Sequence, residues 1–106
     1  MTPAQRHHSQ GASLYDSGEY QKAIEEFSQT IELDPQYAEA YYIRGHSYAN
    51  LGQDERAIED YNQAIKIDPN DGYAYYWRGQ AHSQLGNSAQ SAKDIAKSKE
   101  LGYEPD

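Results

Sequence analysis

Ala38–Asp71 reads AEAYYIRGHSYANLGQDERAIEDYNQAIKIDPND, and its internal spacing decides the fold. Tyr41, Gly45, Tyr48 and Leu51 recur at three and four, as do Ala57, Ile58, Tyr61, Ala64 and Ile65, which is the period of an α-helix. The strict alternation of a half-buried strand is absent. Between the two runs stands Gly52, the residue that adopts the left-handed conformation at a helix end without steric cost. Asp68-Pro69 closes the second run, because proline cannot continue a helix and disfavours helix in the residue before it. The stretch is therefore an antiparallel helix pair, A followed by B.

The same pattern extends outward in both directions. Gly11, Gly45 and Gly79 lie 34 residues apart, and so do Gly18, Gly52 and Gly86. Residues 4–37 laid over 38–71 agree at 11 of 34 positions, among them Ala23/Ala57, Ile24/Ile58, Ile31/Ile65 and the two Asp-Pro pairs. Residues 72–105 keep Ala74, Arg78, Gly79, Leu85, Gly86 and Asp94. A fixed period of this length marks a solenoid, in which each unit buries its apolar face only against its neighbours. The expected A helices span about 4–17, 38–51 and 72–85, and the B helices about 21–33, 55–67 and 89–101. A single domain over 4–106 follows, with units 4–37, 38–71 and 72–105.

Composition alone would suggest the opposite. Five Leu, seven Ile, one Phe and no Val make 13 strong core formers in 106 residues, with a net charge of −8 and mean hydropathy of −1.07. Such a balance ordinarily signals disorder. Here 13 Ala and 11 Tyr at the repeat period supply the missing core. The chain has no Cys, so disulfides, thiol nucleophiles and thiolate metal sites are excluded. No secretory leader or membrane-length apolar run is visible, and a cytoplasmic location away from membranes is the expectation. The acidic balance opposes contact with nucleic-acid phosphates.

These features resemble the tetratricopeptide repeat (TPR) family, whose unit reads aromatic, two residues, Leu-Gly, two residues, Tyr, then Ala, three residues, Phe, then Pro. The middle unit fits through Tyr41, Arg44-Gly45, Tyr48, Ala57, Tyr61 and Pro69. The first fits through His7, Gln10-Gly11, Leu14, Ala23, Phe27 and Pro35, and the third through Tyr75, Arg78-Gly79, His82, Ser91 and Ile95, with Tyr103 in place of Pro. The resemblance implies an all-α, right-handed solenoid of three antiparallel helix pairs, with the A helices lining a concave groove that holds other proteins. It implies no catalysis. Polar His7 and Gln10 at one end, and Ser91, Ser98 and Lys99 at the other, read as caps on faces without a neighbour.

On that resemblance the groove residues are His8 and Asp16 from the first A helix, Glu39, Tyr42, Ile43, His46 and Asn50 from the second, and Tyr73, Tyr76, Trp77, Gln80 and Gln84 from the third. Gln5, Ser9, Ala12, Ala49 and Ser83 share the stripe. Tyrosine and tryptophan offer large, rigid contact area with a polar tip, the chemistry of protein-binding hot spots. Co-chaperone members of the family clamp terminal carboxylates with Lys, Asn and Arg, whereas the corresponding slots here hold His8, Ala12, Ile43, Tyr73 and Trp77. A carboxylate clamp is thus not expected. The expected ligand is a protein or peptide segment, apolar, Pro-containing or helical; self-association into a homo-oligomer is the alternative.

Arg44 and Arg78 take the slot where the family pattern has Leu, next to the packing glycine. Each needs an acid, and the B helices supply Glu26, Asp60 and Asp94 at the same 34-residue period. Ion pairs of Arg44 with Glu26 or Asp60, and of Arg78 with Asp60 or Asp94, are expected. The four His residues offer no pair four apart on one helix, no phosphate-cradling loop or nucleophile elbow is present, and neither metal, cofactor nor enzymatic activity is expected.

Overall fold

In a computed structural model that describes residues 1–105, the chain forms α1 (Pro3–Asp16), α2 (Tyr20–Leu33), α3 (Ala38–Asn50), α4 (Asp54–Ile67), α5 (Gly72–Gln84) and α6 (Ser88–Glu100). Among the described residues there is no strand. Each helix packs on the one before and the one after, α1 also touches α3, and the right-handed solenoid measures 38 × 26 × 24 Å. Expected and observed helices agree to within about one residue at each end. Gly18, Gly52 and Gly86 join A to B with φ of 80°, 77° and 80°, the left-handed region that a side chain would oppose.

Why the A helices need glycine at the crossing is a matter of space. A Cβ on Gly45 would stand 2.8 Å from Tyr61 Cε1, and one on Gly11 would stand 2.7 Å from Phe27 Cε1. The aromatic ring of each B helix thus lies on bare backbone of its A helix. Phe27 is fully buried among Ala23, Ala40 and Ile43, and Tyr61 lies among Ala57 and Ala81. Gly45→Ala is expected to cost about 1–3 kcal/mol by forcing that ring from its place. A urea denaturation midpoint equal to the wild type would show that the crossing has slack.

The two arginines find their acids within their own helix pair. Arg44 donates from Nε and Nη2 to the Asp60 carboxylate at 2.9 and 2.7 Å, and Arg78 does the same to Asp94 at 2.8 and 2.7 Å. The remaining Nη1 reaches back one repeat, to Ser28 Oγ at 3.1 Å from Arg44 and to Asn62 Oδ1 at 3.0 Å from Arg78. Each guanidinium therefore fastens its own A and B helices and the preceding B helix. Tyr41 and Tyr48 flank Arg44, and Tyr75 flanks Arg78 at 5.3 Å. Glu26, the other acid offered to Arg44, accepts instead from His7 Nδ1 at 2.8 Å.

The ends correct one expectation. Ser98 is not part of an exposed cap: it is 1% exposed, in the same slot as buried Thr30 and Ala64. The chain after α6 turns at Gly102, and Tyr103 N–H donates to the Ser98 carbonyl at 2.9 Å. A Cβ on Gly72 would meet Tyr103 Cβ at 2.8 Å, so this short tail packs directly on the start of α5.

Candidate functional site

On α3 the residues Tyr42, His46 and Asn50 follow at intervals of four, and on α5 Tyr73 and Trp77 do the same, so each set lies on one helix face. The two faces meet at His46. Its Nδ1 lies 2.7 Å from Tyr61 Oη and its Nε2 lies 2.7 Å from Tyr73 Oη. The Trp77 ring stands 5.1 Å away edge-on, with Tyr42 at 6.3 Å and Tyr15 at 6.4 Å. Burial among these rings lowers the His46 pKa to about 4, so the imidazole is neutral at neutral pH. A neutral ring has one donor and one acceptor, hence one tyrosine gives a proton to the bridge and the other receives one.

Burial also pushes the Tyr73 hydroxyl up to about 12, and raises Tyr61, Tyr42 and Tyr15 as well. The wall is thus uncharged, apolar in its faces and rich in hydroxyl donors. Tyr15, His46, Asn50, Tyr73 and Trp77 bound a cavity of about 330 Å³ floored by Tyr61 and Ala49. It continues into a cleft of about 480 Å³ between the last turns of α3 and α5, where Asn50, Gln80 and Gln84 line the sides and Asp54 stands at the start of α4. Trp77 borders both spaces, and its Nε1 is buried without a hydrogen-bond partner among the described residues.

Eight of the twelve residues expected in the groove form this aromatic surface or line the cleft beside it. Tyr42, His46, Tyr73, Tyr76 and Trp77 form a continuous aromatic surface, with Tyr42–Tyr73 at 5.1 Å and Tyr76–Trp77 at 5.2 Å. Asn50, Gln80 and Gln84 are exposed beside the cleft, and Asp16 is exposed on α1. The remaining three depart from expectation. His8 is 8% exposed, wedged between Phe27 and Tyr37 at 5.5 and 4.8 Å, so it belongs to the core. Its Nε2 donates to Glu39 Oε1 at 3.0 Å, which occupies Glu39 as well. Ile43 is half-buried on the Phe27 cluster.

Three aromatics on this face lie outside the expected set. Tyr15 occupies the same repeat slot as Ala49 and Ser83, both assigned to the stripe, so the period itself was sufficient to find it. Tyr61 belongs to the core by position, and only its hydroxyl emerges beneath His46. Tyr103 stacks on Tyr73 and Tyr76 at 5.6 and 5.4 Å and extends the wall past the last repeat. No sequence signal marks it, because it stands where inner units carry proline. No three His, Asp or Glu side chains converge as a metal site among the described residues, and no helix there is long and apolar enough to cross a membrane.

Comparison with known proteins agrees with this architecture. The family described as TPR repeat matches residues 11–52 and 45–86, and that described as Tetratricopeptide repeat matches 72–101. No curated protein sequence matches significantly. Among solved structures, MamA superposes with a TM-score of 0.91 at 32% identity over 94% of this chain, which spans 58% of the MamA chain. The second TPR of Spaghetti (RPAP3), bound to the HSP90 peptide SRMEEVD, gives 0.91 at 27% identity, over 94% of this chain and 93% of that one. The Sgt2 TPR domain from Aspergillus fumigatus gives 0.90 at 25% identity, over 95% and 67%. With glycine crossings, turn glycines and helix pairs all at the family's spacing, and with family matches running from residue 11 to residue 101, this chain belongs to the tetratricopeptide repeat family.

Proposed function

We propose that this chain is a non-enzymatic interaction module, an adaptor or scaffold that holds a peptide segment of a partner protein against the inner wall of α1, α3 and α5. One observation carries the reading: Tyr15, Tyr42, Tyr73 and Trp77 converge on a neutral His46 beside an open cavity, Tyr76 continues the aromatic surface from Trp77, and no ion pair lies among them. A solenoid this thin has little core to spare, and aromatic area left half-exposed on its inner side is the composition of a binding hot spot. The peptide bound by the RPAP3 domain gives a precedent within the fold.

The ligand belongs to a different chemical class from that acidic peptide. In the clamp slots, Ala12, Ile43, Tyr73 and Trp77 carry no charge, and His8 is buried and held by Glu39. Nothing there meets a terminal carboxylate. Trp77→Ala and Tyr42→Ala are each expected to weaken binding of a partner captured from the native host by about tenfold or more, with the circular dichroism melt showing a folded chain. Isothermal titration measures it. Unchanged affinity in both variants would rule out this wall as the binding surface.

A further inference from the structure

The cleft between the last turns of α3 and α5 has a charge character opposite to what the family's acidic ligand would need. Asp54 is the one carboxylate lining it, and it makes no hydrogen bond or ion pair among the described residues. The carbonyl ends of α3 and α5 and the N–H end of α4 at Asp54 all border this space, so the helix dipoles there offset one another. The last turn of α3 holds no basic residue, and that of α5 holds only His82, which borders the outer cavity shared with Arg78, Lys93 and Asp94. Trp77 supplies ring surface on the inner side, with the buried Tyr61 beneath.

The protein's own cations are elsewhere. All five lysines lie on α2, α4 and α6, Arg44 and Arg78 are held by Asp60 and Asp94, and Arg56 stacks on Tyr48. Arg6 stands in the first turns of α1 and donates toward the Met1 carbonyl. A cation entering the cleft therefore meets one free carboxylate, the Trp77 ring and no basic side chain. The volume of about 480 Å³ admits an extended long side chain and its backbone.

We infer that this cleft is a specificity pocket for an arginine side chain of the bound peptide, the guanidinium pairing with Asp54 and stacking beside Trp77. The inference rests on the peptide-groove reading and names the chemistry of its ligand. Arginine is favoured over lysine because its flat, weakly hydrated cation stacks on rings and offers a fork of donors to a carboxylate and to the amide oxygens of Asn50, Gln80 and Gln84.

The test uses blocked tripeptides, acetyl-Leu-Arg-Leu-amide with its citrulline and lysine counterparts, titrated into isotope-labelled protein and followed by NMR. The expected result is saturable shifting of the Trp77 indole and of the Asn50, Gln80 and Gln84 side-chain amides by the arginine probe. Citrulline, which keeps the shape and loses the charge, binds about tenfold more weakly, and lysine falls between. Asp54→Asn brings arginine down to the citrulline level, while Glu32→Gln, at an exposed acid on α2, leaves it unchanged. Equal binding of arginine and citrulline at this cleft would overturn the arginine pocket and leave the peptide groove intact. Shifts confined to α2 and to Glu55 and Glu59 of α4, or binding insensitive to Asp54→Asn, would also overturn it. Absence of any shift overturns it too, and the captured-partner titration then reports separately on the groove.

Discussion

Asp60→Leu is expected to destabilise the fold by about 3–5 kcal/mol, the cost of leaving a buried cation without its partner. Arg44 is held by two hydrogen bonds to that carboxylate and one to Ser28, and its guanidinium cannot shed its proton to escape burial. The reverse substitution is milder. With Arg44→Leu the carboxyl of Asp60 can take up a proton, and burial already holds its pKa above the ordinary value. The double variant Arg44→Leu/Asp60→Leu restores the slot to the residue type that the family pattern carries and is expected to recover most of the loss. Urea denaturation of the two single variants and the double one measures all three. Equal losses in the two singles, or a double variant no better than Asp60→Leu, would contradict a buried pair that fastens three helices.

Acid is expected to weaken the fold through His46. Its folded pKa of about 4 lies below the model-peptide value of 6.5, so the unfolded chain binds a proton that the folded chain refuses. The stability supplied by the neutral ring is whole above pH 6.5 and falls away as the pH drops toward about 4, by roughly 3 kcal/mol in total. The groups facing the ring are Tyr15, Tyr42, Tyr61, Tyr73 and Trp77, none of which titrates in that window. His46→Gln keeps polar reach without a titrating group, so the difference between wild type and variant isolates the histidine from the carboxylates. That difference should change between pH 6.5 and 4 and stay flat from 6.5 to 8. A flat difference throughout would mean that the ring is not buried as the structure has it.

The backbone of this protein was legible because its punctuation is periodic. Gly18, Gly52 and Gly86 mark turns by a conformation other residues resist, and Gly11 and Gly45 mark crossings where a single methyl would strike an aromatic ring. Those requirements are local, so they show in the sequence. That Arg44 and Arg78 pair with B-helix acids was legible for the same reason, while the period left two acids open to each and the structure selects Asp60 and Asp94.

The wall was less legible, because position on a stripe does not say which way a side chain leans or what lies on top of it. His8 and Tyr42 share a repeat slot, yet His8 is buried under Tyr37, whose counterpart one repeat later is the small Asp71. Glu39 sits on the expected stripe but is taken up by His8. Tyr103 joins the wall through a turn at Gly102 that no repeat template contains. Eight of the eleven tyrosines divide accordingly. Tyr61 fills the core, Tyr41, Tyr48 and Tyr75 flank the arginines, and Tyr15, Tyr42, Tyr73 and Tyr76 face inward.

The inner wall of α1, α3 and α5 is the binding surface in this account, and an amide NMR map of the labelled chain with a partner captured from its native host tests that claim most directly. Shifts centred on Tyr42, His46, Tyr73 and the lone indole of Trp77, and lost in Trp77→Ala, are the expected result. Shifts centred on the outer faces of α2, α4 and α6, with the Trp77 indole unmoved, would contradict it.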